Sequence, residues 1–264
     1  MLASQLYATT DVLPVAGLDR LAEHLPNAWI EQALEATGTA SIRRRRLPAE
    51  QVVWLVIALA IYRRQSMPEV LATLDLALSA ASAQAVSKSA VTQARQRLGA
   101  KPLAQLFDQT ARAWCQQDAE YHAWQGLSLW AMDGTTFRTP DSTNNRAHFG
   151  AQAYASGKVA SYPQVRAVSI TAIPTHLVSD IAFGTYAQNE MLYAKTLVGR
   201  IADHSLTVFD RGFLSAEILL GLTLGGQERH YLIPAKSNTK WEVLSGSADD
   251  CLVRMRVSPQ ARAK

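Results

Sequence analysis

Cysteine is scarce: Cys115 and Cys251 are the two thiols in 264 residues, and neither has a Cys-x-x-Cys or His companion. That argues against a disulfide framework and against a zinc site of the usual spacing. Long apolar runs are missing as well. The longest, residues 52–62, spans 11 residues against the roughly 20 needed to cross a bilayer, so it reads as a buried helix and no membrane partner is expected. The opening MLASQLYATTDVLP has neither a basic n-region nor an apolar h-region. No secretory leader is therefore expected, and the chain is placed in the cytoplasm. No Gly-rich phosphate loop precedes a helix and no Gly-x-Ser-x-Gly elbow occurs, which argues against P-loop chemistry and an α/β-hydrolase. The excess of positive charge is small too. A net charge of +4 favours a polyanionic partner but is too modest to identify one.

What is present is the material of a folded protein. Hydrophobic residues make up 48% and charged residues 18%, far from a disordered composition, and the length suggests two domains. Through residue 124 apolar residues recur at helical spacing, as in Leu18, Leu21 and Leu25, then Trp29, Ile30 and Leu34, with Gly38 as a helix stop. Arg43, Arg44, Arg45 and Arg46 form a basic loop just before Pro48, which can open the helix carrying the apolar run. Four adjacent arginines suit either a solvated loop or a phosphate contact.

Ser87-Lys88-Ser89-Ala90-Val91-Thr92-Gln93-Ala94-Arg95-Gln96-Arg97-Leu98-Gly99 reads as the second helix of a helix-turn-helix. Ser87 or Ser89 can cap it, and Val91, Ala94 and Leu98 form a buried stripe. Lys88, Thr92, Gln93, Arg95, Gln96 and Arg97 are left as donors and acceptors for a DNA groove or backbone. An ordinary amphipathic surface helix gives the same letters.

After residue 124 the period changes. Leu127-Ser128-Leu129-Trp130-Ala131-Met132 reads as a strand ending at Asp133-Gly134, followed by strands over 165–173 and 177–183 and a helix over 189–202. A short strand, 205–209, ends at Asp210-Arg211-Gly212. A helix over 215–224 leads to His230-Tyr231-Leu232-Ile233. This order of elements is that of an RNase H-like mixed sheet. The expected layout is a helical domain over 1–124, the mixed-sheet core over 125–235, and the opening strands of a β-rich insertion from 236 to 264.

Asp133 and Asp210 stand out because each follows an apolar strand. Strands in these two slots are neighbours, so the carboxylates can come within a few ångströms, a distance that calls for Mg²⁺ or Mn²⁺ between them. Taken singly, each could merely cap or turn its strand. Thr135, Thr136 and Arg138 suit phosphate contacts or an ordinary polar loop. Arg211 suits neutralisation of Asp210 or DNA contact. His148, His176 and His230 have no ligand spacing and read as structural or surface residues.

The basic loop and apolar helix, the 89–99 segment, Met132-Asp133-Gly134-Thr135 and Val208-Phe209-Asp210-Arg211-Gly212-Phe213 together resemble the bacterial insertion-element-4 family of DDE transposases. The resemblance implies a nucleoid-associated enzyme that binds element ends and target DNA as a homodimer in a synaptic complex, and cuts and joins DNA by two-metal phosphoryl transfer. Asp133 and Asp210 would be two of its three acids. The third belongs to a Tyr-x-x-Arg-x-x-x-Glu-x-x-x-x-x-x-Lys helix beyond the insertion, and no such signature occurs before Lys264. The reading is therefore of a frame truncated inside the insertion and inactive by itself, with a DNA-binding regulator of transposition and a stand-alone RNase H-like nuclease as alternatives. Trp241 matches the insertion tryptophan that stacks on a displaced base in some relatives, or it is a packed strand aromatic.

Overall fold

The computed structural model describes residues 16–40, 47–77, 87–119, 122–154, 157–247, 249–255 and 257. Arg43, Arg44, Arg45 and Arg46, and the opening residues read above for a leader, lie outside the described residues. The chain divides into two compact units, Met1–Thr110 and Ala111–Lys264.

The first unit is helical. Helices α1 (Ala16–His24), α2 (Asn27–Ala36), α3 (Ala49–Ile61), α4 (Met67–Ala77) and α5 (Lys88–Leu98) precede α6 (Lys101–Ala119), within which the division falls. Helix α3 contains the apolar run. Val52, Val53, Trp54, Leu55 and Ala58 are all buried, a distribution too wide for a surface helix and right for a central one. Against it pack Ile30 and Leu34 of α2, Val70 of α4 and the Val91, Ala94 and Leu98 stripe of α5. Each large aliphatic side chain so buried contributes about 2 kcal/mol. Helix α2 stops where expected: Gly38 takes φ +67°, a left-handed conformation that costs glycine little.

The second unit is built on a five-stranded sheet of order β3-β2-β1-β4-β5. Its strands are β1 (Ser128–Arg138), β2 (Gln164–Ala172), β3 (Val178–Thr185), β4 (Ser205–Phe209) and β5 (Arg229–Leu232). The first three form an antiparallel meander. Strands β4 and β5 join parallel to β1 and to each other, which requires crossovers, supplied by α8 (Glu190–Leu197) and α9 (Ala216–Leu224). Both helices press Tyr193, Ala194, Leu197, Ile218 and Leu222 onto Met132, Val168, Ile170 and Phe209 of the sheet. This mixed sheet is consistent with an RNase H-like fold. A separate antiparallel hairpin, β6 (Trp241–Gly246) with β7 (Cys251–Met255), follows it.

Two local expectations are corrected. The helix expected over 189–202 ends at Leu197 and continues as a single 3₁₀ turn, Val198–Arg200. A short helix, α7 (Thr143–Phe149), is present where none was expected. It is held by its Ser142 cap, whose Oγ accepts from Asn145 N–H at 3.2 Å, and it buries no residue, so no apolar period announces it. Among the described residues no helix is long and apolar enough to cross a membrane.

Candidate active site

The parallel ladder between β1 and β4 ends with Met132 opposite Phe209. Asp133 and Asp210 are the residues that immediately follow this last pair, one on each strand's continuation, so they stand next to one another where the strands part. Asp133 is not the end of its strand, as its apolar run suggested: β1 continues with β2 to Arg138. Only the β4 partner stops. Thr135, Thr136 and Phe137 are good strand formers but exposed, so hydrophobicity ends before the strand does.

Each aspartate is tied to the glycine that follows it. Asp133 Oδ1 accepts from Gly134 N–H at 2.7 Å, and Asp210 Oδ1 accepts from Gly212 N–H at 2.6 Å. A Cβ at Gly212 would lie only 2.7 Å from that Asp210 oxygen. Glycine there leaves room for the carboxylate to fold back onto its own backbone. Both aspartates are exposed, so substrate can reach the pair.

A third carboxyl passed over in the sequence belongs to Glu190, the first residue of α8. A Cβ on Gly134 would overlap its carboxyl group, so glycine in β1 is what admits this side chain. Burial pushes the Glu190 carboxyl above the usual carboxylate range; Arg166 pulls it down, and Asp210 and Asp133 push it up again. Glu190 thus feels the charge of both aspartates. Two signals could have found Glu190: the Asn189 cap, whose Oδ1 accepts from Met191 N–H at 2.9 Å, and a glycine placed directly after Asp133.

Two hard oxygen donors side by side suit Mg²⁺ or Mn²⁺, which take one or two carboxylates and complete their shell with water and phosphate oxygens. Among the described residues no three Asp, Glu, His or Cys side chains are grouped closely enough to hold a metal ion alone. The other candidates are spread out. Arg211 follows Asp210 at the start of a 3₁₀ turn. Arg138 lies at the far end of β1, its guanidinium 4.3 Å from the centre of the Tyr162 ring. Trp241 is 45% exposed on β6. Lys88, Thr92, Gln93, Arg95, Gln96 and Arg97 are exposed on α5, in the other unit.

A mixed sheet carrying paired carboxylates on adjacent parallel strands is the arrangement expected of the RNase H-like class. Within that class the chain belongs to the DDE transposases of the insertion-element-4 family. Residues 15–108 match the family model described as Insertion element 4 transposase N-terminal, and residues 124–264 match Transposase DDE domain. Over 248 residues, 94% of this chain, it is 37% identical to the transposase InsG for insertion sequence element IS4 of Escherichia coli K12, covering 55% of that protein. With InsZ of the same strain the identity is 35% over 237 residues, 88% of this chain and 77% of InsZ. The chain thus spans about half the length of InsG.

Proposed function

We propose that this chain carries the DNA-binding and two of the strand-transfer acids of an insertion-sequence transposase. The observation that supports this most directly is the register of β1 and β4, which sets Asp133 and Asp210 side by side beyond the last pair of their ladder. Asp133 and Asp210 would hold Mg²⁺ or Mn²⁺. When bound, the metal supplies charge stabilisation at phosphorus and an activated water for in-line displacement. The protein's own part is to fix the acids. Gly134 and Gly212 hold one oxygen of each by a backbone N–H, leaving the second oxygen of each for a ligand.

In this reading α5 contacts the element ends, with Arg95 and Arg97 on phosphates and Thr92, Gln93 and Gln96 at base edges. Lys88 and the arginines at 43–46 add backbone contacts. Arg211 would meet the DNA strand beside Asp210, Arg138 would meet it farther along β1, and Trp241 would offer a face on which a base can stack. Two copies would act on the two ends of one element.

The test is transposition of a marked element by the protein expressed from its complete reading frame. Asp133→Ala and Asp210→Ala are each expected to lower strand cleavage by ~1,000-fold or more, the loss of several kcal/mol of transition-state stabilisation. Cleavage surviving in either variant would falsify the assignment. A second reading, a DNA-binding regulator, is favoured by the finding that among the described residues no three metal-binding side chains are grouped closely enough to hold an ion. It predicts that the 264-residue chain binds element ends far more tightly than random duplex and cleaves neither.

A further inference from the structure

We propose that Arg166 is a preset contact for a DNA backbone phosphate, seating the substrate strand beside Asp133. The inference rests on the DNA-processing reading above. Arg166 sits on β2 opposite Thr136 of β1, beside the stretch of β1 that runs on past Asp133. It lines an open cleft of about 660 Å³, together with Thr135, Thr136, Asn189 and Glu190. Apart from the Glu190 carboxyl, the lining side chains offer hydroxyl, amide and guanidinium donors, the groups that recognise a sugar–phosphate backbone.

The guanidinium is fixed before any substrate arrives. One nitrogen, Nη1, donates to the Gln188 carbonyl at 3.0 Å, and the carbon of the guanidinium lies 4.4 Å from the centre of the Tyr186 ring. An arginine has five N–H donors in a rigid fork, so these two supports hold its plane while leaving donors for a bidentate phosphate contact. Held in this way it loses less freedom on binding than a mobile surface arginine.

The plainer alternative is that Arg166 only neutralises Glu190. One observation weighs against it: the guanidinium is anchored to a carbonyl and a ring, with no ion pair to the Glu190 carboxylate among the described residues. A guanidinium placed for Glu190 alone would engage its oxygens directly.

The experiment is fluorescence anisotropy of the 264-residue chain with a labelled duplex of arbitrary sequence over a series of salt concentrations. Each phosphate contact contributes about 0.9 to the slope of log affinity against log salt. Arg166→Ala is expected to flatten that slope by about 0.9 and weaken binding about tenfold at low salt. Tyr186→Leu keeps the charge, so it should weaken binding with the slope unchanged. The double variant Arg166→Ala/Glu190→Gln separates the two roles: a phosphate contact leaves its slope flattened, whereas recovery of the wild-type slope overturns the proposal. An unchanged slope for Arg166→Ala, with wild-type protein binding normally, overturns it as well. Wild-type protein that binds no duplex at all sinks the underlying DNA-processing reading, a different and recognisable result.

Discussion

At the scale of single residues, the site is shaped by what two glycines omit. Gly212 leaves space for its own neighbour's carboxylate, and Gly134 leaves space for the carboxyl of Glu190, from another element. The Glu190 shift has a pH consequence with a definite sign. Its folded pKa lies above the unfolded value near 4.5, so its contribution to stability is fully present below that value and is lost as pH rises through the folded pKa. Glu190→Gln removes the ionisation. Thermal melts of the variant and the parent should therefore diverge as pH rises from about 4 to 7, the variant melting higher at neutral pH; curves that stay parallel would contradict this. Gly134→Ala tests the geometry behind it. The added methyl must displace the Glu190 carboxyl, so Glu190→Gln introduced on top of Gly134→Ala should give a smaller pH-dependent gain than in the parent, or none. Neither glycine's service to a carboxylate was read from the sequence, where an aspartate followed within two residues by glycine reads first as a turn.

At the scale of elements, helix α5 was legible almost residue for residue. Ser87 caps it, its Oγ accepting from Ala90 N–H at 3.2 Å, Val91, Ala94 and Leu98 are buried, and Gly99 ends it at φ +68°. Such agreement comes from local rules, caps and period, that act within a few residues. Ser87→Ala should cost about 1 kcal/mol in chemical denaturation. Arg95→Ala and Arg97→Ala, far from any core, should leave stability within roughly 0.5 kcal/mol but each reduce the salt slope of element-end binding by about 0.9. Strand β1 was less legible, because its last residues are held by pairing with β2, not by burial. Helix α7 was not legible at all, having a cap but no apolar face.

At the scale of the whole molecule, the order of strands could be read because parallel pairing forces a helix between β3 and β4 and another between β4 and β5. The approach of Glu190 to the two aspartates, and of Arg166 to Glu190, could not, since each depends on contacts between different elements. Each unit also carries a buried hydroxyl without a hydrogen-bond partner among the described residues, Tyr62 in the first and Thr207 in the second. Removing an unpaired buried hydroxyl relieves its desolvation cost, so Tyr62→Phe and Thr207→Val should each be neutral or stabilising by up to about 1 kcal/mol; marked destabilisation of either in chemical denaturation would contradict this. The β1–β4 ladder carries a last consequence, for inheritance. The distance between the two aspartates depends on strand register and not on the length of the chain between them. Loops and helices in that interval can lengthen or shorten over evolutionary time without parting the pair. A single-residue insertion within β4, however, would turn the Asp210 side chain to the opposite face in one step. The ladder therefore makes the site tolerant of length changes in the connections and intolerant of a register slip within either paired stretch, Ser128–Met132 or Ser205–Phe209.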